Sequence, residues 1–400
     1  MTSNDWKEVQ LKDVILFNPR ESIKKGTMAK KISMDKLAPY QKKITGFEYA
    51  EFKSGTKFKN GDTLLARITP CLENGKTAQV DILDDNEIGF GSTEFIVMRE
   101  ISGISDNDFI YYLAISDDFR NIAIKSMTGT SGRQRVQMDV LEQTKLLIPP
   151  LREQKAIANI LSTLDEKIET NNQINEKLEE MAQALFKHWF VDFEFPNENG
   201  KPYKSSGGEM VDSELGMIPK GWGVGKLGDI ISISSGKRPK EKQADSSEKY
   251  PFPIVGASSI MGYTSDFNYN EPVLIIGRVG THGIIQRFTN KVWASDNTLV
   301  IKSKYYGFTY NILKSIDYKS LNRGSTQPLI TQKDIKNTTV LIPPSNVVNS
   351  YEDFYSSLFE KYRTNKVESD LLTKIRDSIL PKLMSGEIRI PMEDGVLSEK

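Results

Sequence analysis

Two stretches of this chain close on nearly the same five residues, LLIPP at 146–150 and VLIPP at 340–344. Each is followed by a long polar segment with apolar residues at helical spacing. An internal repeat constrains the fold strongly, because both copies must form the same elements. In the first copy Ile157, Leu161, Leu164, Ile168, Asn171, Asn175, Leu178, Ala182, Leu185 and Trp189 alternate spacings of four and three, which is a heptad seam. Moving on by 194 positions gives Tyr351, Tyr355, Leu358, Tyr362, Asn365, Ser369, Leu372, Arg376, Ile379 and Leu383. With the tyrosines counted as mainly apolar, nine of the ten layers keep their character, and the exception is Ala182 against Arg376. Pro149 and Pro150 bar helix before the first seam, and Ser350 with Asp353 reads as a variant capping box before the second. A helix over 152–190 is about 58 Å long at 1.5 Å per residue, far beyond the diameter of a small domain.

Two seams of equal length in one chain can pack on each other, and an antiparallel pairing relates the copies by a twofold axis. Facing layers then have a constant index sum. Ile157 with Leu383, Leu178 with Tyr362 and Trp189 with Tyr351 all sum to 540, and the same rule sets Asn175 opposite Asn365 and Asn171 opposite Ser369. Polar layers of this kind fix register and orientation at a cost in stability. Leu164 opposite Arg376 is the misfit, and snorkelling would carry that guanidinium to the edge of the seam.

Backward from each helix the halves also correspond. Trp6 answers Trp222, GDTLLARITP at 61–70 answers EPVLIIGRVG at 271–280, and GSTEFIVMR at 91–99 answers SDNTLVIKS at 295–303. These short Val-, Ile- and Leu-rich runs bounded by Gly, Asn, Asp and Pro predict strands, with short helices near 107–123 and 309–319. The expected fold class is α+β: two pseudo-twofold-related, mostly β domains separated by a long antiparallel two-helix coiled coil. The boundaries are 1–150 for the first domain, 151–194 for its helix, 195–212 for a polar linker, 213–344 for the second domain, 345–390 for its helix and 391–400 for a tail.

Lysine plus arginine equal aspartate plus glutamate at 53 each, so total charge gives no reason to expect a polyanion partner. The total hides an asymmetry, since 213–344 carries 17 basic against 10 acidic residues. The lone Cys71 excludes an intramolecular disulfide framework. With no secretion signal and no long apolar run, a cytoplasmic protein without membrane contact is expected. The usual catalytic constellations are missing: no phosphate-binding GxxxxGK[ST] loop, no GxSxG elbow, and no cofactor and Pro-Pro-aromatic loops for methylating an exocyclic amine. His188 and His282 lack neighbouring ligands at metal-site spacing, and Asp84–Asp85 and Asp117–Asp118 read as solvated surface. Neither a catalytic residue nor a bound cofactor or metal is expected.

Duplex DNA is held through phosphates and read through base edges by Arg or Lys on guanine, Asn or Gln on adenine, and hydroxyls. The connection before each LIPP strand carries that inventory. The first offers Thr128, Thr130, Ser131, Arg133, Gln134 and Arg135, and the second Asn322, Arg323, Ser325, Thr326 and Gln327. Arg67 and Arg278 both close a strand and enter a loop. Lys24, Lys25, Lys30 and Lys31, and in the other half Lys237, Arg238, Lys240 and Lys242, are basic clusters suited to phosphate. Similar domains with different loops would read different short sequences.

With these features together the chain resembles the specificity subunit of type I restriction-modification systems. The stretch 128–169, TGTSGRQRVQMDVLEQTKLLIPPLREQKAIANILSTLDEKIE, is similar to the junction of that family's first target-recognition domain with its central conserved helix. LGMIPKGW at 215–222 resembles the entry to the second recognition domain. The resemblance implies a subunit with no catalytic residues, whose two recognition domains each read half of a split target through the major groove. It further implies that the conserved helices set the gap and bind two modification subunits, which methylate adenine N6 with S-adenosylmethionine. Two restriction subunits would add ATP- and Mg-dependent translocation and cleavage. SNVVNSYEDF at 345–354 departs from LREQKAIANI at 151–160, so the two docking surfaces need not match. A recognition subunit of a methylation complex without a restriction partner, and a scaffold carrying two domains that bind carbohydrate or protein, are the alternatives.

Overall fold

In the computed structural model, residues 6–130, 132–279, 283–321 and 329–391 are described. The chain divides into two compact units, 1–172 with 366–400, and 173–365. It is mixed α+β, with two β-rich domains and two helices, Leu151–Phe190 and Ser345–Met384, each of 40 residues. Each long helix starts directly after its Pro-Pro pair. Ser350 therefore lies inside the second helix, and the expected cap there is corrected: the prolines already end the preceding strand.

The two domains share one strand plan. In the first unit Lys7–Gln10 pairs antiparallel with Lys145–Ile148, Lys7 facing Ile148. In the second, Gly223–Lys226 pairs in the same way with Thr339–Ile342, Gly223 facing Ile342. The tryptophans just before these strands, Trp6 and Trp222, are both buried. A four-stranded sheet follows in each, ordered Ile15–Phe17, Phe95–Glu100, Thr63–Ala66, Thr77–Gln79 in the first unit and Ile231–Ser235, Thr298–Ser303, Val273–Gly277, Ile285–Phe288 in the second. Phe95–Glu100 and Thr298–Ser303 even share a burial pattern, four buried residues and then two half-buried ones. A second small sheet packs in each unit, of four strands in the first and three in the second.

The short helices differ from the expected spans. Asn107–Ile115 and Asp117–Lys125 are separate helices, because Ser116 is extended and its hydroxyl accepts from the Phe119 amide to begin the second. Tyr306–Ser315 likewise stops before Tyr318–Leu321. The polar tract 195–212 is folded: Phe195 stacks on Tyr203 with ring centroids 4.6 Å apart, and Met210–Val211 pairs with Ile218–Pro219.

All twenty predicted seam residues are buried or half-buried. Within the second unit the helices run antiparallel on the 540 register: the Asn365 amide donates to Asn175 Oδ1 at 3.0 Å, and the Trp189 and Tyr351 rings lie 6.0 Å apart. Within the first unit Asn171 instead donates to Glu368 at 2.9 Å, and the Ser369 hydroxyl is buried without a partner among the described residues. Arg376 does not snorkel to water. It is 8% exposed and binds Asp165 at 2.7 Å and Asp377 at 2.8 Å, and Asp165 also accepts from the Tyr112 hydroxyl at 2.7 Å. A desolvated guanidinium needs such a partner, and Asp165, one residue along from Leu164, supplies it.

The second unit has a counterpart built from other positions. Glu179 on the first long helix binds Arg287 at 3.0 Å and Lys314 at 3.2 Å, and accepts from the Tyr310 hydroxyl. Arg287 also donates to the Tyr355 hydroxyl at 3.1 Å and lies over the rings of Tyr310, Phe359 and Tyr362. Burial pushes the Glu179 carboxyl pKa up, but Arg287, Tyr310 and Lys314 together outweigh it and hold the group below its ordinary value.

A carboxylate with a depressed folded pKa contributes stability that is present above its unfolded pKa and lost as pH falls through the folded one. Urea denaturation below about pH 4.5 should therefore show an acid loss that Glu179→Gln flattens. Replacing Asn175 alone with Leu strands the Asn365 amide and should cost about 1–3 kcal/mol, whereas the Asn175→Leu/Asn365→Leu pair should cost less than the single change; a denaturant double-mutant cycle checks this.

Candidate nucleic-acid interface

Arg67 and Arg278 occupy equivalent places, each one residue beyond the end of a central strand. The Arg67 amide donates to the Glu94 carbonyl at 2.9 Å, and its carbonyl accepts from the Val136 amide at 2.9 Å. The Arg278 amide donates to the Asn297 carbonyl, and its carbonyl accepts from the Ile330 amide, both at 3.0 Å. In each side chain Nε is buried without a hydrogen-bond partner among the described residues. The sheets make Phe95 the equivalent of Thr298, since Ala66 faces the one and Gly277 the other. Glu94 thus corresponds to Asn297, one position off the sequence alignment.

The first loop is a tight hairpin. Thr128 and Arg135 exchange backbone hydrogen bonds at 3.0 and 2.9 Å, and the Arg133 amide closes the turn on the Thr130 carbonyl at 2.9 Å. Gly129 has φ of +132°, and a Cβ there would meet the Arg133 carbonyl oxygen at 2.9 Å, so glycine alone fits. Thr128, Thr130 and Arg133 are exposed, and Gln134 and Arg135 half-buried. The Gln134 carbonyl accepts from Thr69 at 3.0 Å, tying the hairpin to the chain that leaves Arg67. Arg135 grips Glu94 side-on, Nε at 2.9 Å from Oε2 and Nη2 at 2.7 Å from Oε1. That hydrogen bond, ahead of the Coulomb pull of Arg135 and Arg67, holds the Glu94 carboxyl below its ordinary pKa against the opposing effect of burial.

Ser131, and Asn322, Arg323, Ser325, Thr326 and Gln327 of the second loop, lie outside the described residues, as does His282. The second loop's exit is described: Val279 bridges Leu329 as Ile68 bridges Arg135, and Thr331 with Asp334 forms a capping box.

The basic clusters divide. Lys24 and Lys25 are exposed in the turn before Met28–Ile32. Lys31 is half-buried and bonds Glu48 at 2.7 Å. Lys30 is 4% exposed, bound to Asp84 at 3.1 Å, Glu87 at 3.0 Å and the Ile82 carbonyl at 3.1 Å. Its ammonium is already held by these groups, which corrects its assignment to a phosphate-facing cluster. Lys30 lies two residues from the core residue Ile32 on the same strand face, and a charge run in sequence does not reveal that. It also makes Asp84 and Glu87 partners of a buried cation. Lys237, Arg238, Lys240 and Lys242 are all exposed, with no ion pair among the described residues. Glu94 escaped the sequence reading: an acidic residue is no signal for a polyanion site, and only the sheet register brings it to Arg135.

No cluster of His, Cys, Asp or Glu fit to hold a metal occurs among the described residues, and none of their helices is long and apolar enough to cross a membrane. Two copies of one β-rich module with basic, hydroxyl-bearing loops, joined to a pair of heptad helices, define a recognition protein. Residues 3–180 and 219–369 match the type I restriction modification DNA specificity domain, and the chain belongs to that family. It is 30% identical to the type I restriction enzyme MjaIX specificity subunit of Methanocaldococcus jannaschii over 71% of this chain and 69% of that protein. Against the HindI specificity subunit of Haemophilus influenzae the identity is 27%, over 82% and 87%. The crystal structure of a type I restriction-modification S subunit from M. genitalium shares the fold, with a TM-score of 0.60 at 16% identity and 98% coverage of both chains. Specificity subunits are the non-catalytic components of type I restriction-modification complexes, so this chain recognises DNA and works with other subunits.

If the exposed cluster binds phosphates, changing Lys237, Arg238, Lys240 and Lys242 together to Gln should reduce the slope of log affinity against log salt. The reduction is roughly 0.9 for each phosphate that is no longer neutralised. Binding isotherms across a salt series measure it.

Proposed function

We propose that the chain reads a bipartite duplex target, one half-site per β-rich domain, with the nonspecific gap set by the two long helices. The observation that carries this reading is the duplicated strand plan, whose equivalent exits from Arg67 and Arg278 lead into loops of different sequence. The base-facing set is Thr128, Thr130, Ser131, Arg133, Gln134 and Arg135 for one half-site and Asn322, Arg323, Ser325, Thr326 and Gln327 for the other. Arg67 and Arg278 sit at the loop roots, and Lys24, Lys25, Lys31, Lys237, Arg238, Lys240 and Lys242 face the backbone. The helices dock two modification subunits that methylate adenine N6 using S-adenosylmethionine, and two restriction subunits add ATP- and Mg-dependent cleavage. The complex acts in the cytoplasm.

In the assembled methylase, Gln327→Ala should relax one base position in one half-site by about 1–3 kcal/mol and leave the gap unchanged. Profiling modification on a randomised target library reads this directly. Relaxation in both halves, or altered spacing, would refute the division of labour. The purified chain alone, given labelled S-adenosylmethionine and duplex DNA, should transfer no label.

A further inference from the structure

We infer that Glu94 is a positioning residue for base recognition: it holds Arg135 so that its outer guanidinium edge reads one guanine, in the half-site of the first domain only. The inference rests on the DNA reading above and adds a residue and a base to it. A guanidinium has an Nε/Nη edge and an Nη1/Nη2 edge, and Glu94 takes the first through Nε and Nη2. The second edge is left, and Nη1 has no partner among the described residues. The Arg135 side chain is 44% exposed while Glu94 is 24% exposed, so the support lies behind and the free edge faces outward. Two parallel N–H groups at that edge match guanine O6 and N7, the commonest specific contact in a major groove.

Four features make this a built arrangement. Arg135 is locked in the hairpin by both backbone hydrogen bonds to Thr128, and the Glu94 amide donates to the Ser92 hydroxyl at 3.1 Å. The Glu94 carbonyl receives the Arg67 amide, so support and reader hang on one strand end. The Arg67 guanidinium stays at the same exit, its Nη2 3.5 Å from the Val136 carbonyl, so the group carries two guanidinium groups against one carboxylate. A free arginine samples phosphates and any purine; one fixed in plane favours a single acceptor pair. In the second domain the equivalent positions are Asn297 and Leu329. That pair has neither the carboxylate nor the guanidinium, so the second half-site is read by other means.

The test uses the full chain, tagged and purified with the subunits that accompany it, on a randomised duplex library with sequencing of the bound fraction. Wild type should require guanine at one position that Arg135→Ala frees, a loss of about 5- to 150-fold there, the equivalent of 1–3 kcal/mol. Glu94→Gln should relax that same position while binding to non-target DNA holds or tightens, since a negative charge has been removed. Arg135→Lys should fail to rescue, because an ammonium has no fork. Should a single variant melt early, Glu94→Gln/Arg135→Gln keeps a neutral hydrogen bond in place and must show the same relaxation. An unchanged guanine preference in these variants overturns the inference. So does uniform weakening at all sequences with the salt slope reduced by about one, which marks a phosphate contact. If wild type itself enriches no sequence, the DNA reading falls with it.

Discussion

In both units a half-buried carboxylate on the first long helix is the point on which the packing turns. Asp165 receives Arg376 and the Tyr112 hydroxyl, and Glu179 receives Arg287, Lys314 and the Tyr310 hydroxyl. Each joins that helix to a short helix of its own β-rich domain, and each neutralises a guanidinium that burial would otherwise make costly. The source of the arginine differs: Arg376 comes from the second long helix, and Arg287 from an edge strand. The physical requirement has been met twice with different residues. Apolar contacts alone would leave each domain free to slide along a heptad face, whereas a directional triad of Arg, carboxylate and Tyr fixes one position.

Above that anchorage, sheet register decides where chemistry is delivered. Ala66 facing Phe95 and Gly277 facing Thr298 bring Arg67 and Arg278 to the same exit. A slip of one residue would turn every side chain of those strands to the opposite face. The four consecutive buried residues that open Phe95–Glu100 and Thr298–Ser303 point alternately into two different cores, Phe95 and Val97 into one and Ile96 and Met98 into the other, so a slip would exchange the side chains that each core receives.

Much of this was legible in the sequence, for identifiable reasons. The heptad seam is a short-range periodic signal, and the LIPP repeat carries it in a second copy; together they located both helices and the pairing of Asn175 with Asn365, whereas the second helix begins at Ser345, ahead of the expected cap, and ends at Met384, short of the expected 390. Position within a layer was less readable. Asn171 turned to Glu368 because a longer neighbour offered a charged acceptor, and Arg376 found Asp165 one residue beside its expected layer. Lys30 looked like its neighbours Lys24, Lys25 and Lys31, but is buried and bound to two carboxylates. Glu94 was invisible as a partner of Arg135, because 41 residues and an unknown register separate them.

The loops are fastened to the domains largely by main-chain bonds: Thr128 to Arg135, Gln134 to Thr69, Val136 to Arg67 and, in the other domain, Ile330 to Arg278. Peptide groups are common to every residue, so these attachments are indifferent to the side chains they carry. Selection acting on what the loops touch can therefore proceed with little penalty in folding, limited at points such as Gly129 where only one residue fits. On the reading proposed above, such a chain changes its target by substitution within the loops while its core stays as it was.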